Sequence, residues 1–264
     1  MKRMGYLLIP VLVLIIICIG FKYSKFYAMK NGQNKKLFNI VLVGAAGSGK
    51  GTQGDILKKE MNLLQVSAGE LLRKHREANG KYAATINEYI DKGQLVPTEI
   101  THELIREHIT NNALCKDCKY KGVIFDGFPR AMEQLYFLDS FLTESGNKIN
   151  AVVYIDVPEA VLLERLMGRF ACKKCGENYH KITKPTKVEG VCDVCGSHEF
   201  TSRSDDKSVD AIHSRFKIFE ESTKPVLDTY EERGIVVRVD GNNKPEVIAE
   251  EIMKRLKTLK KRKK

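Results

Sequence analysis

Two stretches of this 264-residue chain combine residue types and spacings that do chemistry. The first is GAAGSGKGT, Gly44 to Thr52. Gly49-Lys50 stands where a G-x-x-x-x-G-K-[ST] pattern needs its Gly-Lys pair, with Gly51 in the Ser/Thr position and Thr52 after it. Glycines let successive backbone N–H groups curl round a phosphate, and the lysine places a positive charge on it. The second stretch is CKKCGENYHKITKPTKVEGVCDVC, Cys172 to Cys195, in which two Cys-x-x-Cys knuckles lie sixteen residues apart. Four cysteines at that spacing (Cys172, Cys175, Cys192, Cys195) are the pattern of a four-thiolate zinc site, with iron or a disulfide pair in the same place as the alternative. Zinc thiolates need reduced cysteines, which points to a reducing compartment. Cys115 and Cys118 form a third such pair with no partner pair, and read as a surface loop between a helix and a strand.

The elements around these stretches must position them. LFNIVLV (37–43) is a short, β-branched, continuously apolar run, the pattern of a buried parallel strand, and it feeds directly into the glycine loop. A helix after that loop would add its positive end to the phosphate site. VSAGELLRKHRE (66–77) reads as a helix with a Ser cap, YAATINEYIDKG as a helix stopped by Gly93, and PTEITHELIREHITNN as a helix opened by Pro97. KGVIFDGFPR (121–130), AVVYIDVP (151–158) and GIVVRVDG (234–241) read as further strands. EAVLLERLMGR reads as helix, residues 204–234 as two helices broken near Pro225, and the segment from Pro245 as a terminal helix. Strands alternating with helices predict an α/β fold with a parallel sheet covered on both faces. There is no internal repeat.

The formal net charge of +11 invites a nucleic-acid reading, but its distribution argues against one. Residues 1–36 hold seven Lys/Arg and no acid, and residues 254–264 hold eight and no acid; taking both from +11 leaves the body between at −4. Met4 to Phe21 is 18 residues without a charge, of which the strongly apolar part, Leu7 to Phe21, is 15 long. That length is short for a spanning helix of about 20 residues and long for a signal core of about 7–15. Residues 1–36 are therefore expected to be either a membrane anchor, with the body held on the cytoplasmic side by the lysines that follow, or a cleaved plastid-type leader.

The order of motifs resembles an adenylate kinase of the long-lid, zinc-bearing type, a P-loop nucleoside monophosphate kinase. The resemblance rests on GAAGSGKGT, on SAGELLR (67–73), on DGFPR (126–130) with Gln134 after it, and on RLMGRFACKKCGENYH at the entry to a lid with RSDD (203–206) at its exit. STKPVLDTYEERG and VDG complete it, so that it runs from about Leu37 to Leu259. It implies a parallel five-stranded sheet within residues 37–253, an acceptor-nucleotide part near 67–96, a zinc lid near 168–206, and a basic tail at 254–264. It implies phosphoryl transfer from Mg-ATP to AMP by a monomer that does not bind nucleic acid. By the same resemblance the ATP site comprises Gly47, Ser48, Gly49, Lys50, Gly51, Thr52, Arg165, Arg169, Asn178 and Tyr179. Lys50 and Arg169 would hold donor phosphates, and Arg165 would lie against the base. The AMP site comprises Ala68, Arg73, Gln94, Leu95, Val96, Gly127, Arg130, Gln134, Arg203 and Arg215, with Arg73 on the acceptor phosphate. Arg130, Arg203 and Arg215 would bridge the group in flight, Asp126 would order Mg²⁺ through water, and Asp205 and Asp206 would close the lid region.

The chain departs from the family pattern in places. Ala68 stands where many adenylate kinases have Thr and resembles UMP–CMP kinases, whereas Gln134 and the long zinc lid favour AMP. A pyrimidine acceptor, or GTP as donor, is the alternative reading. Arg203 to Arg215 spans twelve residues, one more than the family pattern, which would bring Ser214 into register unless a bulge intervenes. DGNNKP (240–245) carries one extra residue, and Phe170 replaces a common Arg.

Overall fold

Chain direction and burial are settled first at β1, Asn39–Val43, whose five residues are all buried. The computed structural model describes residues 36–114, 118–206 and 208–262; Met4 to Phe21 and Cys115 lie outside them. From β1 the chain enters the glycine loop and α1 (Lys50–Met61), then β2 (Leu64–Ser67), α2 (Ala68–Glu77), α3 (Ala83–Asp91) and α4 (Thr98–Asn112). β3 (Val123–Asp126), α5 (Met132–Glu144), β4 (Ile149–Asp156) and α6 (Glu159–Met167) follow. β5 (Arg169–Cys172), β6 (Asn178–His180) and β7 (Phe200–Thr201) form a separate three-stranded antiparallel sheet in the order β6-β5-β7. The chain returns through a 3₁₀ turn (Ser204–Asp206), α7 (Val209–Ile218), α8 (Lys224–Glu232), β8 (Val236–Asp240) and α9 (Pro245–Arg262).

β2, β3, β1, β4 and β8 pair in that order, all parallel. Alternate residues of β1 feed two cores. Val41 and Val43 pack with Ile105, Ile109, Leu138 and Phe141 from α4 and α5, and Val226 and Tyr230 from α8. Ile40 and Leu42 pack with Leu57 of α1, Leu162 of α6, Phe216 of α7 and Ile252 of α9. Both faces are thus covered, as a parallel sheet requires. A third cluster, Leu72, Ile86, Ile90, Val96 and Ile100, gives the α2–α4 region its own small core.

The strand Leu64–Ser67 was not read from the sequence. It has four residues, its burial alternates, and it ends directly in α2, so Ser67 closes a strand as well as preceding the helix. Ser67 makes no side-chain cap hydrogen bond. The break expected near Pro225 is also absent. Val209 to Glu232 is helical throughout, with a π turn at Phe219–Thr223 and Pro225 in the first turn of α8. A wider turn just ahead of the proline accommodates a residue that lacks an N–H and whose ring would clash with the carbonyl four residues earlier.

One polar residue holds the start of the sheet. Asn39 is fully buried in β1. Its Nδ2 donates to the Lys148 carbonyl (3.0 Å), its Oδ1 accepts from the Val123 N–H (3.1 Å), and its own N–H donates to Asn150 Oδ1 (2.8 Å). These bonds fall where the β1–β4 register shifts between Asn39 and Ile40 and the ladder alone leaves backbone groups unmatched. Replacing Asn39 by Leu strands a buried N–H and a part-buried C=O. The expected loss is about 2–4 kcal/mol of unfolding free energy, read as a lower urea midpoint with an unchanged slope. A variant as stable as the native chain would show that the side chain does not close this gap.

Candidate active site

The glycine loop lies at the C-terminal end of β1, with β3 and β4 on either side. This is the crevice where open α/β sheets bind ligands. Gly49 caps α1 with φ 94°, a left-handed conformation that glycine adopts without strain. The loop wraps the Lys50 ammonium, which donates to the carbonyls of Gly44 (2.7 Å) and Ala45 (2.9 Å) and reaches Ser48 Oγ at 3.4 Å. Gly51 sits opposite Asp126, so near that an added Cβ would lie 3.7 Å from Asp126 Oδ2. Burial pushes the Lys50 ammonium down to about 7; Asp126 opposes this, while Arg130, Arg215 and Arg169 add to it.

Five arginines converge on this loop from different elements. Arg73 comes from α2 and Arg130 from the turn after β3, where its Nε donates to the Gly127 carbonyl (2.8 Å). The Arg130 N–H donates to Gln134 Oε1 (2.8 Å), and its carbonyl accepts from Thr223 Oγ1 (3.1 Å). Arg169 opens β5 and makes a two-pronged pair with Asp206 (2.7 and 2.8 Å). Arg215 of α7 meets Asp206 Oδ1 at 2.5 Å and Asp205 Oδ2 at 3.1 Å. Arg203 donates to Asn178 Oδ1. Burial, then Arg169 and Arg73, hold the Arg203 guanidinium well below its ordinary value. Asp205 shows the reverse balance: burial would raise it, but Arg215, Arg169, Arg203 and Arg73 bring it below the usual carboxylate range.

A single cleft of about 2240 Å³ contains these groups. It also contains Gly47, Thr52, Ala68, Gln94, Leu95, Val96, Gly127 and Arg165, so the sequence-named nucleotide residues lie along one wall system. Arg165 donates to the Gly241 carbonyl (3.0 Å), tying α6 to the loop with the extra residue. Arg215, not Ser214, meets the two acids, with the 3₁₀ turn and the Ser208 cap between them in sequence. Tyr179 also lines the cleft, but it is only 2% exposed, and its hydroxyl lies 3.3 Å from Cys192 Sγ, inside the lid. Phe170, in place of an arginine, stacks on Tyr179 as lid core. Sequence reading missed Arg76, whose NH1 reaches Ser204 Oγ (3.3 Å) and Asp91 (3.6 Å) and joins α2 to the lid exit. Its only signal was a position one helical turn after Arg73.

The four lid cysteines bring their sulfurs within 4.8 Å of one another. Cys172–Cys195 and Cys175–Cys192 are 3.6 and 3.5 Å apart. Sulfurs about 2.3 Å from a tetrahedral zinc would sit about 3.8 Å apart, whereas a disulfide needs about 2.05 Å. The donor set fits zinc.

The adenylate kinase family profile matches residues 42–235. Curated relatives include the adenylate kinases of Caldanaerobacter subterraneus subsp. tengcongensis, 40% identical over 82% of this chain and 95% of the relative, and of Enterococcus faecalis, 39% identical over 82% and 97%. That of Lactococcus lactis subsp. lactis is 37% identical over 82% of this chain and 98% of its own. This chain belongs to the adenylate kinase family. Its reaction is phosphoryl transfer from ATP to AMP; the pyrimidine-acceptor and GTP alternatives are not favoured. The localisation expected from residues 1–36 is corrected on the relatives, since the adenylate kinases this chain matches here are bacterial; no helix among the described residues is long and apolar enough to cross a membrane, and Met4 to Phe21 lie outside those residues.

The Lys50 ammonium supplies a prediction. Pushed down to about 7 by burial, Lys50 is half-charged at neutral pH, and a bound polyphosphate would hold the proton on. ATP binding should therefore take up protons above pH 7, approaching about one per site near pH 8 and fading below about pH 6. Calorimetry in two buffers of different ionisation enthalpy reads this uptake. Lys50→Met should abolish it; equal uptake in the variant would assign the proton elsewhere.

Proposed function

We propose that the cleft carries out this transfer by surrounding the moving phosphoryl group with fixed positive charge. The observation that supports this is the meeting of Lys50, Arg73, Arg130, Arg169, Arg203 and Arg215 over fewer carboxylates, Asp126, Asp205 and Asp206 with Glu70 beside Arg73. Phosphoryl transfer needs little covalent chemistry from a protein. It needs in-line placement, exclusion of water and cation density on the equatorial oxygens.

In this reading the loop N–H groups and Lys50 hold the β- and γ-phosphates of the donor, with Arg169 over them. Its base lies along Arg165 and the Gly241 loop, with Thr52 and Asn178 lining the site. Arg73 holds the AMP phosphate, and Arg130, Arg203 and Arg215 bridge donor and acceptor. Magnesium supplies further charge neutralisation to the donor phosphates, and Asp126 is placed to order its waters. Ala68, Gln94, Leu95, Val96 and Gly127 wall the acceptor base. The Oε1 of Gln134 is already engaged by the Arg130 N–H, which fixes the amide and leaves Nε2 to donate to a purine ring nitrogen. The Ala68 wall alone would admit a pyrimidine, so Gln134 carries the preference. Residues 168–206 form the lid and 67–96 the acceptor part. Zinc on the four cysteines gives the lid a stiffness that its few buried residues cannot supply.

The test is initial rates of ADP formation by the full chain with Mg-ATP and AMP, UMP, CMP or GMP. AMP should exceed the others by decades, and Arg215→Ala should lower kcat about 10²–10³-fold with little change in KM. UMP or CMP matching AMP would overturn the acceptor assignment. A change confined to KM would move Arg215 from the transition state to ground-state binding.

A further inference from the structure

The hydroxyl of Tyr179 lies between two groups of the second cysteine knuckle. It accepts the Asp193 N–H at 2.8 Å and stands 3.3 Å from Cys192 Sγ. With the Asp193 N–H on its oxygen, the phenol's own proton is left for the sulfur. A zinc-bound cysteine is a thiolate and can only accept. We propose that Tyr179 is an outer positioning residue of the metal, its O–H donating to the Cys192 thiolate while its oxygen fixes the backbone of the knuckle. This rests on the zinc reading of the four cysteines.

The ring has no freedom to serve elsewhere. Phe170 stacks on it at 5.5 Å and 21°, Phe200 meets it edge-on at 5.7 Å, and Phe170 and Phe200 are themselves 5.4 Å apart. These rings, with Cys172, Cys192 and Cys195, are the lid's apolar cluster among the described residues. The hydrogen bond links the two knuckles through something other than the metal, because Tyr179 sits on β6 beside the first knuckle and Cys192 belongs to the second. The neighbours of Tyr179 carry the consequence to the cleft. Asn178 accepts from Arg203, and the His180 backbone is in register with Arg169 across β5–β6. Three consecutive residues thus join the metal knuckle to two arginines of the phosphate cleft.

A donor on a thiolate draws electron density off sulfur and steadies it as a ligand; outer partners of this kind are worth about 10–100-fold in metal affinity. The full chain is loaded with Co²⁺ for spectroscopy and with Zn²⁺ for release to a colorimetric chelator. In Tyr179→Phe the sulfur-to-cobalt charge-transfer band should move to lower energy, and zinc should leave about 10–100-fold faster. Phe200→Leu, which loosens the ring cage but keeps the hydroxyl, should leave the band in place. An unshifted band with native zinc release in Tyr179→Phe overturns the inference, as does the same shift in Phe200→Leu. If Tyr179→Phe does not fold, 3-fluorotyrosine at position 179 keeps a more acidic hydroxyl and should move the band to higher energy; no movement there also overturns it. A native chain that retains no zinc after purification removes the zinc reading itself, a separate failure.

Discussion

The controlling constraint is an imbalance of buried charge. Lys50, Arg73, Arg130, Arg169, Arg203 and Arg215 crowd one part of the cleft, where Asp126, Asp205 and Asp206, with Glu70 beside Arg73, are the acids that act on them. Burial first, and then the like charges around them, weaken the Lys50 and Arg203 cations, while the arginines strengthen the Asp205 acid against its own burial. Such an arrangement does not assemble from one element. It persists because each arginine is held by a different part of the fold and because the two acids of the 3₁₀ turn clamp Arg169 and Arg215 in place. The surplus positive charge is met when phosphates enter. The free cleft is thus electrostatically incomplete, and substrate binding relieves a repulsion as well as making contacts.

The rest of the structure can be read as what holds that surplus together. The parallel sheet brings the glycine loop, Asp126 and the Arg130 turn to one edge, and Asn39 closes the register shift at the opposite end of β1. The α2–α4 core carries Arg73, and the small lid carries Arg169 and Arg203. Cores of very different size stand behind these groups. The sheet buries dozens of side chains, whereas the lid buries almost none beyond two cysteines and one tyrosine. A unit so small cannot hold two guanidinium groups against mutual repulsion by packing alone, and four thiolates about one metal are an economical way to make it rigid.

Much of this was legible in the sequence, for physical reasons that differ by residue. Gly49, Lys50 and the four cysteines are legible because their chemistry depends on short-range spacing. The strands β1, β3 and β4 are legible because a strand buried on both faces is nearly continuously apolar, and the edge strand β8 because its buried valines alternate with exposed polar residues. β2 was not: four residues, LQVS, running straight into a helix leave no room for a period to show. The π turn before Pro225 was missed because a proline's cost can be absorbed by a wider turn as well as by a break, and sequence does not distinguish the two. Arg215 over Ser214 could not be settled by counting, since one residue of slack is enough to turn a helix face. Asn39 and Tyr179 illustrate the hardest class. Their partners, Val123 and Lys148 for one and Cys192 and Asp193 for the other, are distant in the chain, and no local pattern announces a side chain whose work is to satisfy a backbone group or a sulfur.

Tyr179 also shows how a residue beside a binding motif can belong to another site. Asn178, Tyr179 and His180 alternate along β6, so neighbouring side chains face opposite sides of a thin antiparallel sheet. Asn178 looks to Arg203 and the cleft, while Tyr179 looks to the knuckle. In a lid with one layer of sheet, the cleft face and the metal face are separated by a single peptide bond. Whatever fixes one face in position fixes the other. A metal held by the four cysteines, though no chemistry would occur at it, would therefore still bear on the cleft, through the orientation of the two arginines hung on the far side of its sheet.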